Sequence, residues 1–345
     1  MVAMSDDLEP LSPREGMELY LDHREPDLSK KSIENHRYRL RSFVSFCEEE
    51  GIENLNTVTG RDLHKFRVWR RNGDGERYSE VSKMTLYGNL QTLRKFLEFC
   101  ASIDAVEPGM RERVLIPETE DEEETKNVYL DEDRALDILD HLERFQYASR
   151  DHVMLSLLWH TGMRLGSLRA LDVEDFDADA QCLDLVHRPE SGTPLKNKDA
   201  AERSIAVGEY HVEMIEAYIQ NNRHEVTDDH GRRPLITSAQ GRLTESPIRR
   251  IVYKWTLPCQ IGDCPHDKDP KTCEWVLKDH RASCPSSRSP HGIRRGSITR
   301  HLREGTPRDV VSDRMNVTQE VLDRHYDETT DRERMELRRE FIKDA

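Results

Sequence analysis

Residues 289–305 read SPHGIRRGSITRHLREG, and the folding of this stretch decides where the chemistry of the chain sits. Ser289 suits a helix N-cap and Pro290 the first helical position, so the spacing predicts a helix whose first turn carries His291 and Arg294 on one face. A helix start is a natural anion site, because its outermost backbone N–H groups and its dipole both favour negative charge. A His and an Arg placed there imply an anionic ligand. The rest of the chain makes that unexpected, since its 345 residues carry a formal net charge of -15.

The acidic balance argues against general affinity for nucleic acid, because phosphate binding rests on Lys and Arg. Two features offset it. Arg outnumbers Lys and is the better bidentate phosphate ligand. Acid is also concentrated in separable runs such as ETEDEEET (118–125), so local basic faces are expected at 30–41, 61–71 and 288–303. Acid surplus with little Lys fits a salt-rich cytoplasm, where long-range repulsion is screened. With 35% hydrophobic and 34% charged residues, the cores must be lean. No stretch approaches the roughly 20 apolar residues of a membrane span, and the start, MVAMSDDLEP, lacks the basic and apolar parts of a signal peptide. A cytoplasmic protein with no membrane partner is the expectation.

Residues 10–115 read as helical. SKKSIENHRYRLRSFVSFCEEEG (29–51) opens at Ser29 or Ser32, carries Ile33, Leu40, Phe43, Val44 and Cys47 at helical spacing, and stops at Gly51. TGRDLHKFRVWRRNG (59–73) is a shorter helix, and residues 79–103 repeat the period with Leu86, Leu90, Leu93, Leu97 and Cys100. Lys30, Lys31, Arg37, Arg39 and Arg41 flank the apolar stripe of the first of these. They form either a solvated face or a helix side laid along a duplex.

IPETEDEEETKN (116–127) has no apolar period and reads as an acidic linker. A second domain, 128–345, then begins with helices near 131–145 and 150–161. Strand-like QCLDLVH (181–187) and RSIAVG (203–208) flank RPESGTPLKNKDAAE, a natural hairpin, and a helix follows at 209–222. A Cys-rich insertion at 258–286 and further helices complete the chain. The fold class expected is therefore mainly α with a small antiparallel sheet.

Four signals carry chemistry. TGMR places Arg164 just after a helix-stopping glycine, and Lys196 and Lys198 sit at the hairpin tip. HGIR supplies His291 and Arg294, and HY places Tyr326 beside His325. Singly each is ordinary: a capping Arg, solvent-facing lysines, a packing Tyr. In this order they resemble the tyrosine recombinase (phage integrase) family, whose catalytic domain shows T-G-x-R, a hairpin Lys, H-x-x-R and a Tyr some thirty residues on. Tyr326 follows Arg294 by 32 residues. The N-terminal half is similar to the family's helical core-binding domain.

The resemblance implies that Tyr326 is the nucleophile, that Arg164 and Arg294 clamp a phosphate, and that His291 is a general acid/base. Lys196, with Lys198 as the alternative, protonates the leaving 5′-oxygen. It further implies double-stranded DNA as partner, a homo-oligomer (dimer or tetramer) on that DNA, and no cofactor for catalysis. The residue types suit such chemistry. Two guanidinium forks stabilise the extra charge of a phosphoryl transition state without a metal. A tyrosine of ordinary pKa about 10 needs a base or cationic field, and an alkoxide leaving group needs a proton. Lys30, Lys31, Arg37, Arg41 and Arg295 are the expected DNA contacts.

Two positions depart from the family pattern. Its Leu-Gly-His, about nine residues before the Tyr, falls on Val317 with Asn316 adjacent, and the acidic residue three positions after the first Arg is Ser167. They leave as alternative a catalytically weak or inactive DNA-binding protein of a mobile element. Cys47, Cys100 and Cys182 are expected in cores. Cys259, Cys264, Cys273 and Cys284 cluster within 26 residues. They are read as a structural zinc site, with His266 or His280 as replacement ligands, or as four reduced thiols in a loop. A metal-dependent hydrolase built on that cluster ranks third. The tail RERMELRREFIKDA (332–345) has an apolar side suited to packing on a neighbouring protomer or on its own domain.

Overall fold

Ser12, Ser29, Thr59 and Ser82 each accept a backbone N–H at the start of a helix, opening α1 (Pro13–Arg24), α2 (Lys30–Glu49), α3 (Gly60–Asn72) and α4 (Lys83–Ser102). Gly51, with φ +69, stands two residues beyond α2, as the sequence predicts. The computed structural model describes residues 8–118 and 128–325, together with Met335 and Arg339, and the chain divides into two units, Met1–Lys126 and Asn127–Ala345. In the first unit the inward faces of α1–α4 share a core that includes Tyr20, Leu40, Phe43, Phe66, Leu90 and Phe96. Phe43 meets Phe66 edge to face at 5.2 Å between centroids. Burial pushes the Cys47 and Cys100 thiols up to about 12, so they are core residues and not nucleophiles.

The second unit is organised around one buried helix. It follows α5 (Glu132–Gln146) and is α6 (Arg150–Thr161), apolar on every side through Val153, Met154, Leu157, Leu158 and Trp159. Packed on it are α7 (Leu165–Ala170), α8 (Glu209–Asn221) and α10 (Pro290–Arg303). The close approach of α10 requires glycine at 296, where a Cβ would lie 2.0 Å from the Leu130 carbonyl oxygen and 2.9 Å from the Trp159 ring. The amphipathic α9 (Glu245–Trp255) precedes the Cys-rich insertion, and α11 (Arg308–Met315) and α12 (Gln319–His325) follow α10.

The antiparallel sheet has the order β1 (Phe176–Asp177), β2 (Cys182–Leu185), β3 (Arg203–Ala206), with Leu183 opposite Ile205 on its buried face. A second, two-stranded ladder pairs β4 (Thr237–Ser238) with β5 (Gly241–Arg242). The architecture is mainly α with small antiparallel sheets. Cys182 corrects one expectation: strand alternation turns it with Asp184 away from the core face, and it is half-exposed.

The hairpin joining β2 to β3 is tied to the body by a buried charge network. Arg242 pairs with Asp172 and, at 2.8 Å, with Asp228. Arg188 pairs with Asp175 at 2.5 Å, and Arg232 with Asp228 at 3.1 Å. Arg232 also donates to the Thr193 hydroxyl and the Ser191 carbonyl within the hairpin connection, fixing its base. Charges this deep persist only when paired and hydrogen-bonded.

Candidate active site

Gly162 ends α6 in the left-handed conformation (φ +58), and the chain turns directly into α7 with Arg164 as its extended N-cap residue. A Cβ at Gly162 would meet the Met315 sulfur at 2.7 Å, so the turn fits closely against the end of α11. Ser289 caps α10 through the Gly292 N–H, and Pro290 is the first helical residue, as read from sequence. Arg164, His291 and Arg294 then line one cavity of about 320 Å³, together with Arg249 and Tyr253 of α9. Residues more than a hundred positions apart in the chain meet there.

Arg294 is buried, and main-chain carbonyls fix its guanidinium. Its Nη1 donates to Gly162 at 2.8 Å and to Met315 at 2.7 Å, and its Nη2 to Asn316 at 3.4 Å. Arg164 Nη1 donates to the side-chain oxygen of Asn316 at 2.9 Å. His291 is exposed at the cavity, on the first turn of α10. Lys196 and Lys198 are exposed on the hairpin, and between them Asn197 donates to the same Asn316 oxygen at 2.6 Å. Tyr326 lies outside the described residues, as does most of the 332–345 tail.

Cations crowd behind this site. Arg203 on β3 donates to the Arg314 carbonyl, and Arg314 returns a bond to the Ala206 carbonyl, stitching the sheet to α11. Burial, then the charge of Arg164, pushes Arg203 down to about 10. His160, on the last turn of α6, is pushed down to about 3, by burial and then by His211, Arg300, His301 and Arg314. His152 is pushed down to about 4 by burial and by His211. His152 is buried and His160 half-buried, and both are held as neutral rings.

A histidine whose folded pKa lies below its unfolded value of 6.5 binds a proton more readily when unfolded. Stability contributed by the two rings is therefore complete above pH 6.5 and is lost as pH falls toward 4 for His152 and 3 for His160. Urea midpoints are expected to be level between about pH 7.5 and 6.5 and to fall steadily below. Asp228, depressed to about 2 by its arginines and backbone donors against the opposing effect of burial, adds its loss only at lower pH. A midpoint unchanged between about pH 6.5 and 4.5 would contradict the assignment of two rings held neutral by the fold.

Residues 128–331 match the phage integrase family, and residues 18–102 match the phage integrase N-terminal SAM-like domain. The chain belongs to the phage integrase family. It is a tyrosine recombinase by that membership, 26% identical over 298 residues to the tyrosine recombinase XerD of Mycobacterium tuberculosis, with 83% of each chain covered. Its fold is that of the Tn1549 transposon integrase, solved with a circular intermediate DNA (TM-score 0.64, 16% identity, 94% of this chain and 99% of that one). It is also that of lambda integrase, solved as a dimer on a COC′ core site (TM-score 0.61, 10% identity, 91% and 76% covered). Within the family's pattern, the position of the missing histidine is explained by packing. Val317 is buried with Ile298, Leu302, Val311, Met315 and Leu322, so an apolar side chain fills that position.

Three expectations need correction. The zinc centre at Cys259, Cys264, Cys273 and Cys284 is not assembled. Among the described residues no group of three or more His, Cys, Asp or Glu side chains is placed to hold a metal ion. The thiols lie near enough that Cys264, Cys284 and Cys273, after burial itself, raise the pKa of Cys259, yet each belongs to a separate turn pinned by its own main-chain bonds. His266 is engaged with Ser286 at 3.0 Å. Arg295, expected on the DNA-facing surface, is buried on α10. Arg37 is paired with Glu18, so of the basic set on α2 the exposed members are Lys30, Lys31 and Arg41.

Sequence reasoning missed Arg249 and Tyr253, which belong to no motif and sit on the polar side of an amphipathic helix. It passed over Asn316, noted only as the neighbour of a missing histidine. No helix among the described residues is long and apolar enough to cross a membrane.

Proposed function

We propose that this chain is a site-specific DNA recombinase that cuts and rejoins duplex DNA through a 3′-phosphotyrosine on Tyr326. The observation that carries the reading is the shared cavity, in which Arg164, His291 and Arg294 converge from two helix starts. A phosphodiester seated there meets two guanidiniums, one of them held in orientation by three carbonyls. The Tyr326 oxygen attacks phosphorus and the bond to the 5′-oxygen breaks. Lys196 supplies the proton that the leaving oxygen takes, and His291 accepts and returns the tyrosine's proton. Rejoining is the reverse, with a 5′-hydroxyl attacking the phosphotyrosine, so bond energy is conserved and no nucleotide cofactor takes part. Lys30, Lys31 and Arg41 on α2 contact the phosphate backbone. As with the lambda integrase dimer on its core site, the working form is an oligomer on DNA.

The test is covalent capture. Incubated with a duplex nicked next to the cut site, so that the released fragment diffuses away, the full chain is expected to leave DNA that stays bound after denaturation. Peptide mapping of the adduct is expected to find the nucleotide on Tyr326. The buried Val317 favours a second reading, a DNA-binding protein with weak or no cleavage, because no titratable group stands at that position. Binding without any adduct at any salt concentration would decide for it.

A further inference from the structure

The Asn316 side chain reaches both Arg164 and the lysine hairpin. It caps α11 in the left-handed region (φ 50, ψ 62), a conformation Asn adopts more readily than other non-glycine residues. That backbone turn directs its amide away from α11. The Oδ1 accepts from Arg164 Nη1 at 2.9 Å and from Asn197 Nδ2 at 2.6 Å, while Nδ2 donates to the Ala200 carbonyl at 2.9 Å. The oxygen faces two donors and the nitrogen a carbonyl, so the amide has only one orientation that satisfies the network. Its own carbonyl accepts from Arg294 at 3.4 Å. One residue thus touches both arginines and the segment between the two lysines.

The hairpin needs such a hold. Residues 196–200 are exposed, and the anchors on either side are the buried Leu195 and Ala201. A polar tip with few buried contacts belongs to the least stable part of a fold. Its inner face is instead fastened at two points, Asn197 and Ala200, to an amide that also holds Arg164. Val317 at the next position is anchored in the core, which sets the direction in which Asn316 leaves the chain.

We propose that Asn316 is a positioning residue that locks the lysine-bearing hairpin to Arg164, so that the phosphate-binding and proton-donating parts of the site form one rigid unit. This rests on the recombinase reading for its catalytic consequence, but the mechanical link is a property of the free protein. Asn316 acts through Arg164 and Lys196 rather than on the substrate. Its contribution is to rate more than to affinity, because displacement of a reacting group by about 1 Å costs about 100-fold in rate while phosphate contacts elsewhere retain the DNA.

The decisive variant is Asn316→Gly in the full chain. Glycine accepts the left-handed backbone without strain, so the substitution removes the amide alone. Amide hydrogen exchange at 196–202, measured without DNA, is expected to rise at least tenfold. Single-turnover adduct formation on the nicked duplex is expected to fall about 10- to 100-fold, with DNA affinity within about twofold of the parent. Asn316→Asp keeps the acceptors toward Arg164 and Asn197 but loses the donor to Ala200, and is expected to fall between. Combining Asn316→Gly with Asn197→Ala is expected to be no slower than Asn316→Gly alone, since both break the same link. Unchanged exchange at the hairpin, or an unchanged adduct rate in a parent that forms one, overturns the proposal. A parent that forms no adduct overturns the recombinase reading instead, and hairpin exchange then decides the link by itself.

Discussion

Tyr326→Phe is expected to abolish the covalent protein–DNA adduct while leaving affinity for the same duplex within about twofold. The substitution removes one oxygen and keeps the ring, so packing and charge are unchanged. The attacking atom is lost outright, and no neighbouring water replaces it as a tether, because hydrolysis leaves no protein–DNA bond. The measurement is a denaturing gel of end-labelled nicked duplex beside a binding titration at the same salt. Salt must be held fixed, because phosphate contacts make affinity fall steeply with ionic strength. An adduct that persists in Tyr326→Phe would move the nucleophile to another hydroxyl and end the assignment.

Arg294→Ala is expected to reduce single-turnover cleavage by about 100- to 1,000-fold, the usual cost of one preorganised donor to a developing oxyanion. It is also expected to lower stability by about 1–3 kcal/mol, because the carbonyls of Gly162, Met315 and Asn316 lose a donor in a buried place. Urea unfolding separates the two effects, since cleavage is then compared at a temperature where both proteins are folded. Arg294→Lys is the sharper control. It keeps the charge but cannot bond several carbonyls and a phosphate from one planar fork, so cleavage stays low. Cleavage restored to the parental rate by lysine would show that charge alone is needed there, against the clamp described above.

Local order decided a large part of this protein. The caps at Ser29 and Ser289, the stops at Gly51 and Gly162, and the apolar periods of α2, α4 and α5 depend on neighbours a few residues away, and the structure has them where the spacing predicts. The motif order that marks the family is equally local, because Arg164 and the His291–Arg294 pair each sit at a helix start written in their own sequence. Other properties depend on what lies opposite in space, which spacing does not encode. Arg37 and Arg295 have the composition of a DNA-facing surface, yet Glu18 pairs with one and the body of the second unit buries the other. Four cysteines within one insertion looked like a ligand set, but among the described residues no group of three or more such side chains is placed to hold a metal ion. Arg249 and Tyr253 entered the cavity only through the tertiary placement of α9, which packs on α7. Asn316 is the clearest case. In sequence it is the neighbour of a missing histidine, and only the folded chain brings Arg164, 152 positions earlier, and Asn197, 119 positions earlier, to its one side-chain oxygen.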